Sequence, residues 1–165
     1  MDLLKGVKRE LPCLKSGFAL VLGGAGALLS LIVMVACGNF FIYKLLLLPR
    51  HAPPPILFFL AVFLFSAYLG YIIGVLYDYM KRGRAFNALL FAVLTLLFFQ
   101  LWYLSFFKTA ALLFALFMLI MALFLALMMV KEGCVLGILP PVLGAGAVLI
   151  LLCFLWLTFS ALLLN

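Results

Sequence analysis

The feature that most constrains this chain is a series of five apolar stretches free of charged side chains. They cover about residues 17–43, 56–77, 86–107, 110–130 and 135–164. Each reaches the ~20 residues that a helix needs to cross ~30 Å of hydrocarbon. A chain that buried all five in one water-soluble core would have too little polar surface left to cover it. Of its 165 residues, 71% are hydrophobic and 9% charged, against roughly 25% charged in a soluble domain. Lipid is therefore the expected solvent of the outer face. Transmembrane strands would be ~10 residues long with strict alternation, and these Leu-, Phe-, Ala- and Met-rich runs show none. The expected fold class is an all-α membrane protein, one domain over residues 1–165, built as a bundle of five transmembrane helices.

The connections carry most of the remaining polarity. Residues 1–15 mix Lys5, Lys8, Arg9, Glu10 and Lys15 with leucines and read as an interfacial segment. A proline-rich connection follows the first run, and Asp78 to Arg84 forms a polar turn after the second. Lys108 and Thr109 separate the third and fourth runs, and Lys131 and Glu132 the fourth and fifth. The fifth run is about 30 residues long and contains Pro140 and Pro141. Either its first turns lie in a loop or the helix kinks there. The segment Leu31 to Cys37 faintly resembles a lipoprotein cleavage box, but Met34 stands at its usual leucine position and the run is longer than a signal core. It is read as a span.

The net charge of +7 is placed at the ends of apolar runs, which is a topological signal rather than a nucleic-acid surface. Eight Lys and Arg fall on the side of the N-terminus and three on the other. Positive residues concentrate inside, so the N-terminus is expected inside and the C-terminus outside. Cys13, Cys37, Cys134 and Cys153 form no Cys-x-x-Cys pair, and His51 has no cysteine near it in sequence. Metal-ligand spacing is absent.

Away from their borders the runs contain no Asp, Glu, Lys, Arg or His; Lys44 and Asp78 stand at run ends. Ion-coupled carriers and proton pumps bury ionisable groups, and an acid–base enzyme working at membrane depth needs a carboxylate or imidazole there. Neither class fits, and no enzymatic activity is expected. The polar groups left at depth are hydroxyls and one amide, Gln100, which is expected to hydrogen-bond a neighbouring helix. Small residues recur four apart at Gly23 and Ala27, Gly70 and Gly74, and Gly133 and Gly137. That spacing lets helices approach closely, within one bundle or across a homodimer. The aromatic stretch Phe98 to Tyr103, with Phe106 and Phe107, cannot all face lipid, so part of it lines the bundle interior.

The first connection, Tyr43-Lys44-Leu45-Leu46-Leu47-Leu48-Pro49-Arg50-His51-Ala52-Pro53-Pro54, resembles the signature of the TspO/MBR family of tryptophan-rich sensory proteins and mitochondrial translocator proteins. Tyr43, Leu46, Pro49, Pro53 and Pro54 match that pattern without a gap, as do Phe58 and Gly70 beyond it. Trp102-Tyr103-Leu104-Ser105-Phe106-Phe107 and Leu155-Trp156-Leu157-Thr158-Phe159-Ser160 look like the family's third- and fifth-span motifs. The chain departs from the family at Ile42, Ile56 and Val62, where tryptophans are usual, at Leu48 for a lysine and at Phe99 for an asparagine. The resemblance implies a five-helix bundle, often dimeric, with a pocket beneath the first loop for flat or rigid apolar molecules such as porphyrins, haem or sterols. Porphyrin or haem would be a ligand, not a required cofactor. The ligand-binding positions it implies are Tyr43, Arg50, His51, Pro53, Pro54, Phe58, Phe99, Trp102 and Trp156. The function expected is binding of such a ligand with a regulatory or transport-associated role; the alternative is a structural subunit of a larger membrane complex. The bacterial cytoplasmic membrane is the default location, or the mitochondrial outer membrane if the source is eukaryotic.

Overall fold

The structure, a computed structural model, describes residues 17–37, 52–80, 85–108, 111–137, 139 and 141–165. Among the described residues there are five helices: α1 (Gly17–Cys37), α2 (Pro55–Met80), α3 (Phe86–Phe107), α4 (Leu112–Val135) and α5 (Pro141–Leu164). All five are long and apolar enough to cross a membrane, and no described residue is in a strand. The molecule is an all-α, multi-pass membrane protein.

Two helix starts follow from proline chemistry. A ring that fixes φ near −65° and removes the N–H suits the first helical position, where the N–H would have no intrahelical acceptor. Pro55 opens α2 and Pro141 opens α5, while the Pro54 carbonyl accepts the Phe58 N–H at 3.0 Å. The fifth helix is therefore shorter than the run 135–164 and starts after a turn instead of kinking. Gly137 makes that turn with φ +64°, a left-handed conformation that glycine adopts at little cost. Its N–H donates to the Cys134 carbonyl at 3.0 Å, and the Leu139 N–H donates to the Gly133 carbonyl at 3.2 Å. The fourth helix runs on through Lys131 and Glu132 to Val135, beyond the span 110–130. A charged pair in a last turn does not stop helical bonding; long side chains there reach towards the headgroups. The first helix ends its described course at Cys37, and the rest of the expected span 17–43 lies outside the described residues.

Helices α2, α3, α4 and α5 form a ring in which each packs on the next, closed where α2 meets α5; α1 lies outside it, against α2 and the edge of α3. The α1–α2 contact is built from small residues. A Cβ on Gly26 would lie 2.5 Å from the Ser66 carbonyl oxygen, one on Gly70 would collide with the Leu22 carbonyl, and one on Gly74 with the Ala19 backbone. Of the spaced pairs, Gly70 and Gly74 thus serve packing inside one chain, whereas Gly137 makes the turn before α5. Inside the ring the core is aromatic: Phe58, Phe65, Phe99, Trp102, Tyr103, Phe106 and Phe107 are all buried. The outer surface carries Leu, Ile, Val and Phe side chains on every helix. With lipid outside and apolar side chains inside, packing, close backbone approach and hydrogen bonds must hold such a bundle together.

Candidate functional site

In the ring, the α2–α5 seam is the loosest, and there a cleft of about 560 Å³ opens at the end where the first connection enters α2. Pro53, Leu57, Phe58 and Ala61 form one wall. Leu149, Leu152, Cys153, Phe154, Trp156 and Leu157, spaced at helical intervals along α5, form most of the other. Phe58, Phe154 and Leu157 are buried and make its floor, whereas Leu57, Leu149 and Trp156 are more than half exposed and make its rim. No charged side chain lines it.

The floor is held rigid from behind. Phe58 and Phe154 meet edge to face at 5.8 Å between centroids, and Trp102 lies 5.1 Å from Phe154 and 5.1 Å from Phe99, on which it stacks. The Trp102 indole N–H donates to the Thr158 hydroxyl at 3.0 Å, which in turn donates to the Phe154 carbonyl at 2.9 Å. That chain of bonds ties α3 to α5 directly behind the cleft. Lower down, the Tyr68 hydroxyl donates to the Leu143 carbonyl, in the space left by the missing side chain of Gly146. Between α2 and α3, the Gln100 amide donates to the Ser66 hydroxyl at 2.9 Å, the interhelical bond expected of it.

Of the positions implied by the family resemblance, the structure brings Pro53, Phe58 and Trp156 together on the cleft. Pro54 is exposed just before α2. Phe99 and Trp102 do not reach the cleft. Each ring is fully buried and stacked on the other, because a tryptophan at depth must satisfy its N–H and finds its acceptor in the core. Tyr43, Arg50 and His51 lie outside the described residues. Sequence reasoning missed Leu57 and Ala61 on α2 and the whole α5 wall other than Trp156, including Leu152, Phe154 and Leu157. Their helical spacing is visible in the sequence, but on helices apolar all round it marks no face.

What this arrangement can do is solvate hydrocarbon. Its volume falls within the ~300–1,000 Å³ of small-molecule sites, its rim is open to the bilayer, and its floor offers aromatic faces. Among the described residues no three His, Cys, Asp or Glu side chains are grouped to hold a metal. Compared with protein-family models, curated proteins and solved structures, the chain matches none.

Proposed function

We propose that this protein binds an apolar lipid-class ligand in the α2–α5 cleft, reached sideways from the bilayer, and acts in regulation or transport of that ligand. The observation that carries the reading is a cleft of about 560 Å³ with uncharged walls, open on the apolar outer face of the bundle. The resemblance of the first connection to the TspO/MBR signature supports it, since Pro53 and Phe58 line this cleft. Of the ligand classes which that resemblance implies, the sterol-like one suits the walls better than porphyrin or haem. A porphyrin carries two propionates, and burying carboxylates without paired charges is costly.

The test uses Trp102→Phe, which leaves Trp156 on the rim as the sole tryptophan. Energy transfer from Trp156 to a fluorescent sterol in detergent micelles should saturate at micromolar sterol. Adding Ala61→Trp would confuse the optical signal, so Ala61→Phe is used to fill the cleft. It should weaken the sterol affinity about tenfold, a loss of ~1.4 kcal/mol. Transfer that rises linearly with sterol in both proteins is mere partitioning and sinks the reading. Protoporphyrin that saturates at lower concentration than the sterol would overturn the preference for an uncharged ligand.

A further inference from the structure

The cleft has a twin. On the other side of α5 a second groove of about 450 Å³ lies against α4, lined by Leu116 and Ile120 opposite Leu152, Leu155, Trp156 and Phe159. It too has no charged wall. Leu152 and Trp156 line both hollows, so one ridge on α5, a single helical turn long, separates them. We propose that the two grooves together bind one two-chain glycerolipid that straddles the Leu152–Trp156 ridge, with one acyl chain in each.

Three observations fit two chains of one molecule. First, both grooves sit at the same depth: the cleft uses α5 residues 149–157 and the groove residues 152–159. Second, on α2 and α4 both hollows lie towards the end of the bundle where α5 finishes, and on α5 they take its middle turns and those just beyond. The α2 wall begins at Pro53, before its helix starts, and the α4 wall lies in the first part of Leu112–Val135. The two chains of a lipid hang from one headgroup into one leaflet, so hollows in opposite leaflets could not serve. Third, the length is right. At 1.5 Å per residue these α5 stretches run ~10–12 Å, most of the ~15 Å depth of one leaflet. The two volumes are similar, as two similar chains require, whereas a rigid sterol would leave one groove empty. The floor fixes the ridge, because Thr158 beside it is held by Trp102.

This inference rests on the proposed cleft function but replaces its sterol-like ligand with a two-chain one, whose charged headgroup lies beyond the apolar walls, so the experiment separates the two. The full-length protein is purified, stripped with detergent, and offered palmitoyl-oleoyl phosphatidylglycerol or its single-chain lyso form. Retained lipid is counted by native mass spectrometry. Ala61→Trp fills the cleft and Ile120→Trp fills the groove. Both positions are exposed to lipid, where an added indole does not disturb the core, and circular dichroism melts check this. The expected result is one two-chain lipid per chain, no retained lysolipid, and roughly tenfold weaker retention in either variant. Loss in Ala61→Trp alone, with Ile120→Trp unchanged, overturns the straddling lipid and leaves the cleft reading standing. Loss in Ile120→Trp alone, or in neither variant, overturns both. Equal retention of the lysolipid overturns the two-chain requirement.

Discussion

At the residue scale, the buried polar groups of this bundle fall into two kinds, and the difference sets the sign of what their removal does. Thr158 accepts the Trp102 N–H and donates to Phe154. Thr158→Val keeps the shape but orphans a buried indole N–H, which costs about 1–3 kcal/mol. Thermal unfolding in detergent should show a lowered midpoint, together with a shifted Trp102 emission. Gln100 is different. Its amide donates to Ser66, but its carbonyl oxygen is buried with no partner among the described residues. Gln100→Met removes the bonded donor and the orphan acceptor together, and Ser66 still donates to the Val62 carbonyl. Ser66→Ala, by contrast, leaves the Gln100 amide unbonded as well. Gln100→Met should melt at or above the parent and Ser66→Ala below it, by about 1 kcal/mol. The reverse order would show that the amide is held by something other than Ser66. That Gln100 bonds across helices was legible in the sequence, because an amide in hydrocarbon must find a partner. Which of the two tryptophans is buried was not. Trp102 finds its acceptor 56 residues away, while Trp156, on an equally apolar stretch, faces lipid.

At the element scale, the helices are placed by their smallest side chains. Leucine and phenylalanine occur on every face, so apolar periodicity cannot mark the buried side. Glycine and alanine can, because each close approach needs an absent or minimal side chain. The α1–α2 pair gives a direct comparison of two glycines in helices. A methyl group on Gly24 would meet nothing within 4 Å, whereas one on Gly70 would run into the Leu22 backbone. Backbone cannot swing aside as a side chain can, so Gly70→Ala must push α1 away. It should destabilise by about 1–3 kcal/mol, in the range of overpacked cores. Gly24→Ala should stabilise by up to ~1 kcal/mol through helix propensity alone. Unfolding in a denaturing-detergent series measures both. Equal small effects would mean that α1 is not held against α2 through Gly70. The same logic explains which element ends were readable. The proline-rich connection marked the start of α2, but Pro140 and Pro141 left a loop and a kink both open for α5, and Lys131 and Glu132 suggested a break where the helix continues.

At the scale of the whole molecule, the number of spans was legible because hydrocarbon thickness fixes span length, and the site was only partly so. Pro53 and Phe58 stood out by the first-connection motif, but the α5 wall is made of leucines that resemble all the others. A cleft between helices is a property of how the ring closes at α2 and α5, and no local sequence signal records a loose seam. One whole-molecule property remains readable from charge, and it decides on which side of the membrane the cleft begins. With five spans the two ends of the chain lie on opposite sides. Lys5, Lys8, Arg9 and Lys15, then Lys81, Arg82 and Arg84, then Lys131 fall on one side; Lys44, Arg50 and Lys108 fall on the other. The positive-inside bias therefore predicts the N-terminus in the cytoplasm, and the start of α2, where the cleft begins at Pro53, on the outer side. In a cysteine-free background, Asn165→Cys should react with a membrane-impermeant maleimide on intact cells, and Lys81→Cys only after permeabilisation. The opposite pattern would invert the molecule without altering its fold, and the Pro53 end of the cleft would then face the cytoplasm. Orientation, not the walls of the cleft, determines which pool of lipid the protein meets.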